Sequence, residues 1–381
     1  MTLPQKKIVL PGEKIGILGG GQLGRMFALS AVQMGYEVIS YSPEEYPPIA
    51  GVACHLQGDY QDLKKVAEFA NQVKVATLEF ENIPAETTQK IEETVSVYPG
   101  TSVLQTTQNR LREKKFLSDN GFPVVKYRHV KTKEELPRAI VELGTPCVLK
   151  TAGFGYDGKG QVKLTSESNL NALFPDAEFP DCILESFINF EKEVSVVCAR
   201  GTNGSFVHWP LFENQHKNHI LDLTVCPARV SPQTCDQAYG LAKNIVDTLG
   251  VVGTFCVEFF LTRDEKLIVN EMAPRPHNSG HLTINASVTS QFEQQLRAVA
   301  GLPLGSTKMI RPAAMVNLLG DLWQGGEPQW KKIFDLPDVH LHLYGKKEAR
   351  PGRKMGHLTA LGDTAEKAIE TALKARARLK E

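Results

Sequence analysis

The chain lacks the features that mark three common classes of protein. Lys plus Arg and Asp plus Glu both number 43, whereas a nucleic-acid-binding protein normally carries a basic excess. No apolar run approaches the ~20 residues that a membrane-spanning helix requires. The segment from Met1 to Lys14 has basic residues but no apolar stretch of signal-peptide length. We therefore expect a cytoplasmic protein with neither nucleic-acid nor membrane partners.

Closely spaced cysteines are also missing. The seven cysteines form no Cys-x-x-Cys pair, and most lie in apolar runs such as Cys147-Val148-Leu149. A free cysteine in such a run behaves as a small hydrophobic residue, and structural zinc sites need paired ligands. The sequence therefore predicts neither a disulfide framework nor a zinc site.

The length of 381 residues predicts two or three domains. Strands and amphipathic helices alternate over the first hundred or so residues, which predicts a parallel sheet with helices on both faces. Longer strands joined by glycine-rich turns then indicate α+β structure, up to a break at Gly301–Gly305. We assign 1–107 to a Rossmann-like α/β domain, 108–304 to a central domain and 305–381 to a small mixed domain. Asp59 and Asp363 are the expected caps of two helices.

The pattern Gly19-x-Gly21-x-x-Gly24 follows a predicted strand and opens a helix. This is the context of a dinucleotide fingerprint, and the helix N-terminus would accept a phosphate or another anion. The acidic residue that holds a nicotinamide ribose is expected about 20 residues further on, where Ser42 and Pro43 stand. The sequence therefore favours another phosphorylated ligand over a nicotinamide cofactor.

Two carboxylates, Glu79 and Glu81, follow a strand of the same predicted sheet. Ligands of open α/β sheets bind at such strand ends, so the pair could hold ribose hydroxyls or an amine. Alternatively, Asn82 caps the next helix and both glutamates are solvated. The sequence leaves both interpretations open.

Lys150 ends a predicted strand and is followed by the glycine-dense segment 153–161. Glycines let backbone N–H groups approach phosphate oxygens, and a lysine adds a point charge. An ordinary flexible hairpin is the alternative, but four glycines among eight residues make a polyphosphate-binding loop the better prediction. The strand end at Glu185 and the nearby Glu193 suit an adenine and its ribose hydroxyls.

Glu258 and Glu271 each lie among apolar residues in two strands joined by a short turn. A buried carboxylate is costly unless it is paired or bound to a metal. Together with Asn270 these side chains offer only oxygen ligands, which favour Mg²⁺ over zinc.

Two polar segments follow. The first contains Arg275, His277, Asn278 and His281, where Gly280 argues against a zinc-binding helix; the second, 344–357, concentrates cations that include Lys346 and Arg353. Such a cluster is either solvated surface or a phosphate pocket.

Lys150, the glycine loop, Glu185-x-x-Ile188, Glu193, Glu258 and Asn270-Glu271 together resemble the ATP-grasp superfamily. The Gly-Gly-Gly-Gln-Leu-Gly-Arg-Met, Phe-Glu-Asn, Arg-Pro-His-Asn-Ser-Gly-His and Arg-Pro-Gly-Arg-Lys-Met-Gly-His motifs narrow the resemblance to the 5-(carboxyamino)imidazole ribonucleotide synthetases. It covers the chain from about Lys14 onward. The resemblance implies a central ATP-grasp domain, a homodimer, and ATP- and Mg²⁺-dependent carboxylation of aminoimidazole ribonucleotide by bicarbonate through carboxyphosphate.

The resemblance also implies roles for individual residues. The metal ligands would be Glu258 and Glu271, and the catalytic residues Arg275, Asp157 and Lys150. The residues implied to contact ATP are Arg110, Lys150, Gly155, Tyr156, Asp157, Gly158, Lys159, Gly160, Gln161, Glu185, Ser186, Phe187, Ile188, Glu193, His216, Asn270 and Glu271. Those implied to surround the ribonucleotide are Gln22, Leu23, Glu79, Glu81, Tyr156, Asp157, Arg275, His277, Asn278, Lys346 and Arg353.

Three other functions remain as alternatives at this point. The nearest is another ATP-grasp ligase, such as a formate-using glycinamide ribonucleotide transformylase or a biotin carboxylase subunit. A nicotinamide-dependent dehydrogenase is suggested only by the first glycine loop. Retention of both Glu258 and Glu271 argues against a non-catalytic nucleotide sensor.

Overall fold

A computed structural model describes residues 8–153, 160–170 and 179–380. The chain begins with a five-stranded parallel sheet in the order β3-β2-β1-β4-β5. Its strands are β1 (Lys14–Leu18), β2 (Glu37–Ser42), β3 (Cys54–Gln57), β4 (Val75–Leu78) and β5 (Val97–Tyr98). Its helices are α1 (Gln22–Gln33), α2 (Leu63–Ala70), α3 (Ala85–Glu92) and α4 (Thr101–Thr107). The alternating sequence predicts a sheet with helices on both faces. The structure agrees, because successive residues of the central strand β1, which point to opposite faces of the sheet, are all buried, including Ile15, Ile17 and Leu18.

A four-stranded antiparallel sheet follows, in the order β6-β9-β7-β8. Its strands are β6 (Tyr127–Val130), β7 (Cys147–Thr151), β8 (Gln161–Leu164) and β9 (Cys182–Ser186). Helix α5 (Arg110–Asp119) precedes it, and α6 (Leu136–Leu143) packs on it through Leu136 and Ala139. Lys150 on β7 and Glu185 on β9 thus come to neighbouring strands.

The third sheet has nine strands in the order β15-β14-β10-β12-β13-β16-β18-β17, with β11 paired to β10. The strands are β10 (Phe190–Arg200), β11 (Phe206–His208), β12 (Phe212–Lys217), β13 (Ile220–Cys226), β14 (Gly253–Thr262), β15 (Leu267–Ala273), β16 (Ala313–Leu319), β17 (Val339–Leu343) and β18 (Lys354–Leu361). The helices of this part are α7 (Pro232–Leu249), α8 (Thr283–Ala286), α9 (Gln291–Val299), α10 (Lys331–Phe334) and α11 (Ala365–Arg378). Because β13 pairs with β16, the strands of the C-terminal segment extend the central sheet.

Helix α9 joins the central part of the chain to the N-terminal sheet. Its Phe292 and Leu296 are fully buried and belong to one apolar cluster with Ile15 and Phe27. Tyr344, from the C-terminal segment, lies in the same cluster. All three parts of the chain therefore pack against each other around the site described below.

The predicted α/β and α+β fold class is confirmed, but two predicted helix caps are wrong. Asp62 rather than Asp59 caps α2 by accepting a hydrogen bond from Lys65 N, and Thr364 rather than Asp363 caps α11. Asp59 instead accepts from Gln61 N in the preceding turn. No helix in the described part of the chain is long and apolar enough to cross a membrane.

Candidate active site

A cavity of about 1090 Å³ lies between the four-stranded and nine-stranded sheets and reaches the N-terminal glycine loop. Most of the described residues that the sequence predicts for the site line it. They are Gln22, Leu23, Glu79, Glu81, Arg110, Lys150, Gln161, Glu185, Ser186, Phe187, Ile188, Glu193, His216, Glu258, Asn270, Glu271, Arg275, His277 and Asn278. The fold thus collects residues from distant strands at one place.

Three described residues that were predicted for the site stand outside this lining. The carbonyl of Gly160 accepts a hydrogen bond from Thr151 N at 2.8 Å, which extends the pairing of β7 with β8. Lys346 Nζ donates to Gln22 Oε1, and Arg353 donates to the carbonyl of Glu348 at 2.9 Å. Gly155, Tyr156, Asp157, Gly158 and Lys159 lie outside the described residues.

A buried ion pair joins strands β7 and β9 at the wall of the cavity. Lys150 Nζ lies 2.5 Å from Glu185 Oε2, and Lys114 Nζ lies 3.6 Å from the other oxygen of Glu185. Burial alone would raise the pKa of Glu185, but Lys114 and Lys150 lower it to about 2. Glu185 is therefore ionised near neutrality and holds two lysine ammonium groups beside the predicted phosphate loop.

This shifted pKa predicts how the protein behaves in acid. The pKa of Glu185 is about 2 in the folded protein, against about 4.3 for an exposed glutamate. The unfolded state binds more protons between these values, so the stabilisation by Glu185 is complete above about pH 4.3 and is lost as the pH falls toward about 2. Glu185→Gln should flatten this part of the curve of unfolding free energy against pH. Denaturant unfolding at stepped pH measures it, and an equally steep curve in the variant would contradict the assignment.

The two predicted metal ligands face each other across two strands. Glu258 on β14 and Glu271 on β15 are Cα partners in the antiparallel register, an arrangement that brings side chains to the same face about 5 Å apart. Asn270 lies beside them, and all three line the cavity. Two carboxylates and an amide oxygen are ligands that suit Mg²⁺. The donor set therefore fits a magnesium ion.

Both carboxylates also have protein partners. Glu258 Oε1 lies 2.9 Å from His277 Nε2, and Arg110 donates to Glu271 Oε2 at 3.3 Å. Burial would raise the pKa of Glu258, but the neighbouring His277 lowers that pKa overall, which favours the anionic form of this carboxylate. The thiol of Cys256 lies within 4.8 Å of the Glu258 carboxylate and the His277 ring, but burial raises the pKa of the thiol far above its ordinary value. A protonated thiol is a poor metal ligand, which favours a hard cation at this site.

Arg275 and Glu81 form a two-point ion pair at the other end of the cavity. Arg275 Nε donates to Glu81 Oε2 at 2.5 Å and its NH2 group donates to Oε1 at 3.1 Å. Burial would raise the pKa of Glu81, yet Arg275 lowers it overall. Glu81 thus fixes the plane of the guanidinium group at the cavity wall.

The Glu79 side chain binds the backbone N–H groups of the N-terminal glycine loop. Its carboxylate accepts hydrogen bonds from Gly21 N and, at 2.6 Å, from Gly24 N at the start of α1. A Cβ atom at Gly21 would lie 2.7 Å from Glu79 Oε1, so a larger residue would push the carboxylate away. The prediction that this helix end accepts an anionic group is confirmed, and in this structure the anion is the protein's own Glu79 carboxylate.

Glu193 and His216 lie next to each other on β10 and β12. Glu193 Oε2 is 2.7 Å from His216 Nδ1. Burial would lower the pKa of His216, but Glu193 raises it overall. Nearby, Lys163 Nζ lies 4.0 Å from the centre of the Phe187 ring. This end of the cavity therefore combines an aromatic face with polar groups, as a nucleotide requires.

The side-chain amide of Asn278 lies at the wall of the cavity. Asn278 is 9% exposed, and neither side-chain polar atom has a hydrogen-bond partner among the described residues. An unpaired buried amide at a cavity wall is costly and indicates a ligand that forms hydrogen bonds with it.

Lys354 also lines the cavity, although sequence reasoning selected its neighbour Arg353. Met355, the next residue, is buried on β18. The alternation of side-chain directions along a strand could not show from the sequence which of the two adjacent cations, Arg353 or Lys354, faces the cavity.

Family models match three successive parts of the chain. An ATP-grasp domain matches residues 115–292, a ribonucleotide synthetase preATP-grasp domain matches 12–108, and a phosphoribosylaminoimidazole carboxylase C-terminal domain matches 313–371. The fold and the cavity between the two antiparallel sheets thus define an ATP-grasp ligase.

Curated proteins and solved structures narrow this class. N5-carboxyaminoimidazole ribonucleotide synthase of Bacillus subtilis is 44% identical over 359 residues, which cover 93% of each chain. A crystal structure of an N5-carboxyaminoimidazole ribonucleotide synthetase with ADP superposes with a TM-score of 0.93 at 44% identity, covering 99% of this chain and 100% of that one. The Aspergillus clavatus enzyme with ADP and 5-aminoimidazole ribonucleotide gives 0.86 at 29% identity, covering 96% and 99%. The chain belongs to the N5-carboxyaminoimidazole ribonucleotide synthase family, as the sequence motifs predicted.

Proposed function

We propose that this chain carboxylates 5-aminoimidazole ribonucleotide with bicarbonate and ATP, forming 5-(carboxyamino)imidazole ribonucleotide, ADP and phosphate for purine biosynthesis. One observation carries the proposal. A single cavity joins the facing carboxylates of Glu258 and Glu271 to the Lys150–Glu185 pair on one side and to Arg275 on the other. A relative in the same family binds both ADP and the ribonucleotide, which supports two substrate ends in one cavity.

ATP occupies the end of the cavity where the two antiparallel sheets meet. Lys150 and Arg110 supply positive charge for the phosphates, and Phe187 offers an aromatic face for the base. Related synthetases have been crystallised with ADP, which supports nucleotide binding by this chain. Phosphoryl transfer depends on positioning and charge neutralisation more than on a protein nucleophile, which agrees with a site built from cations and carboxylates.

Glu258 and Glu271 would hold Mg²⁺, with Asn270 beside them. When bound there, Mg²⁺ would supply positive charge to neutralise the charge that develops during phosphoryl transfer. The guanidinium group of Arg110 donates a hydrogen bond to Glu271 Oε2 at 3.3 Å and so orients that carboxylate. His277 Nε2, 2.9 Å from Glu258 Oε1, orients the carboxylate of Glu258.

Arg275 binds bicarbonate and then carboxyphosphate. Its guanidinium is held in one plane by Glu81, which leaves its remaining N–H groups to meet an anion. The hydroxyl of bicarbonate leaves poorly, so phosphorylation turns it into a phosphate leaving group that the exocyclic amine can displace. Exclusion of water protects this intermediate from hydrolysis. Asp157, proposed as a further catalytic residue, lies outside the described residues.

The phosphate of the ribonucleotide is proposed to bind near Lys346 and Arg353. Lys346 Nζ contacts Gln22 Oε1 and the carbonyl of Lys354, which both belong to residues of the cavity wall. Lys346→Ala and Arg353→Ala should each raise KM for the ribonucleotide about ten- to hundredfold, because a charge-assisted contact contributes roughly 1.5–3 kcal/mol. KM for ATP should change little.

Steady-state kinetics with each substrate varied in turn measures both constants. Lys347→Ala is the matched control, since the Lys347 ammonium lies over the Tyr46 ring at 4.8 Å. An unchanged ribonucleotide KM in both test variants would make the basic cluster solvated surface rather than a phosphate pocket.

The whole proposal is tested by ADP release. Release should require both aminoimidazole ribonucleotide and bicarbonate, and the product should contain a carboxyl group on the exocyclic nitrogen. Stimulation by glycinamide ribonucleotide and formate, or by biotin, would instead identify another ATP-grasp ligase. A cytoplasmic homodimer and domain boundaries at 107/108 and 304/305 remain parts of the proposal.

A further inference from the structure

Helix α5 has an unusual buried face. The residues it buries are Glu113, Lys114 and Leu117, so two of the three are charged. Glu113 is 2% exposed and Lys114 is 1% exposed. Burying charges is costly, and apolar residues of similar volume would stabilise a helix contact as well or better. The two charged side chains therefore point to a task other than packing.

Both side chains bind the backbone of β15. Lys114 Nζ donates to the carbonyl of Asn270 at 2.5 Å and to that of Val269 at 3.4 Å. Glu113 Oε1 accepts from the N–H of Met272 at 2.5 Å. The Glu113–Lys114 pair thus holds the chain immediately before and immediately after Glu271.

The held segment is irregular and lies at a sheet edge. Strand β15 is the last strand at one end of the nine-stranded sheet. Its pairing with β14 shifts register, so that Glu258 faces Glu271 while Phe259 faces Val269. Asn270 is therefore the extra residue of a β-bulge, which is unpaired within the ladder and redirects the side chains around it. On the outer edge of the strand, Val269 N donates to the carbonyl of Pro123 at 2.8 Å, and the contacts from Lys114 and Glu113 continue this support past the bulge to Asn270 and Met272.

We infer that Glu113 and Lys114 are positioning residues that fix the direction in which Glu271 presents its carboxylate to Mg²⁺. The inference rests on the proposed role of Glu271 as a metal ligand. Lys114 Nζ also lies 3.6 Å from Glu185 Oε1. The same ammonium therefore fixes the metal-binding strand relative to the ATP-binding strand, and neither Glu113 nor Lys114 lines the cavity.

A pair of substitutions at Glu113 tests this role. Glu113→Gln keeps an oxygen that can accept the Met272 N–H, so its Mg²⁺ requirement should stay within about twofold of wild type. Glu113→Leu removes the acceptor and should raise the half-saturating Mg²⁺ concentration about tenfold or more, as loss of an outer-shell partner typically does. KM for the ribonucleotide should change less than about twofold in both variants. Lys115→Met is the control, because Lys115 is an exposed neighbour on the same helix.

Binding of Mn²⁺ in the presence of ADP, followed by electron paramagnetic resonance, gives a readout independent of turnover. Affinity should fall in Glu113→Leu and be restored in Glu113→Gln. If the leucine variant does not fold, Lys114→Met takes its place with the same expected loss. Equal Mn²⁺ affinity in wild type and a folded variant that lacks either contact would overturn the inference, as would a glutamine variant that is as impaired as the leucine one.

Glu271→Gln separates this inference from the proposed function. If Glu271→Gln binds Mn²⁺ as wild type does, the metal assignment itself fails. If Glu271→Gln loses affinity while Glu113→Leu and Lys114→Met keep it, only the positioning role fails.

Discussion

Replacing Glu258 or Glu271 by Gln is expected to lower kcat at least about a hundredfold, because each change removes an anionic ligand from the ion that neutralises the transferring phosphoryl group. Glutamine has nearly the same volume, so the strands that carry the two residues should keep their register. Coupled ADP-release assays over a range of Mg²⁺ concentrations measure the loss. Circular dichroism checks that each variant is folded.

Glu265→Gln provides the matched control. Glu265 is an exposed carboxylate in the turn that joins the same two strands, and its loss should leave turnover within about twofold, as for an ordinary surface change. Near-normal kcat in Glu258→Gln or Glu271→Gln at saturating Mg²⁺ would falsify the metal assignment of that residue.

Lys150→Met should lose both stability and activity. The substitution leaves the buried Glu185 carboxylate with Lys114 as its nearest ammonium, at 3.6 Å, and breaking a buried ion pair costs about 3–5 kcal/mol of unfolding free energy. Turnover should fall because a charge beside the ATP phosphates is gone. Urea unfolding and steady-state kinetics measure the two effects.

A double variant separates these effects. Adding Glu185→Leu to Lys150→Met removes the carboxylate that has lost one of its two lysine partners but also takes that carboxylate from Lys114, so stability should recover in part, whereas activity should stay low. Lys90→Met is the control for stability, since the Lys90–Glu93 pair is exposed and should contribute under about 1 kcal/mol. Recovery of activity together with stability would show that Lys150 acts only through folding.

The sequence was most informative where a functional residue ends or faces a regular strand. Lys150, Glu258 and Glu271 could be predicted because each is recognised from a few neighbouring residues. The apolar pattern around each one indicates a strand, and its own side chain indicates the chemistry. The family motifs then supplied roles that spacing alone did not. The helix caps were less certain, because Asp59 and Asp62 both suit an N-cap and only the folded turn decides between them.

Contacts between distant residues could not be predicted. Glu79 binds Gly24 across 55 positions of the sequence, and Glu113 binds Met272 across 159. Neither pairing leaves a local signal, so the sequence did not show that Glu79 is the anion at the glycine loop, and the buried face of α5 was missed. The choice between Arg353 and Lys354 likewise depends on how β18 is set against β16 in the folded sheet.

The sheet that runs unbroken from β15 to β17 has a consequence for dissecting the chain into fragments. A fragment that ends near residue 304 would lose β16 and leave the edge of β13 without its partner strand, a surface on which unrelated chains can add strands and aggregate. It would also lack Tyr344, which fills part of the N-terminal core. The central ATP-binding unit is therefore best expressed and studied together with its C-terminal segment.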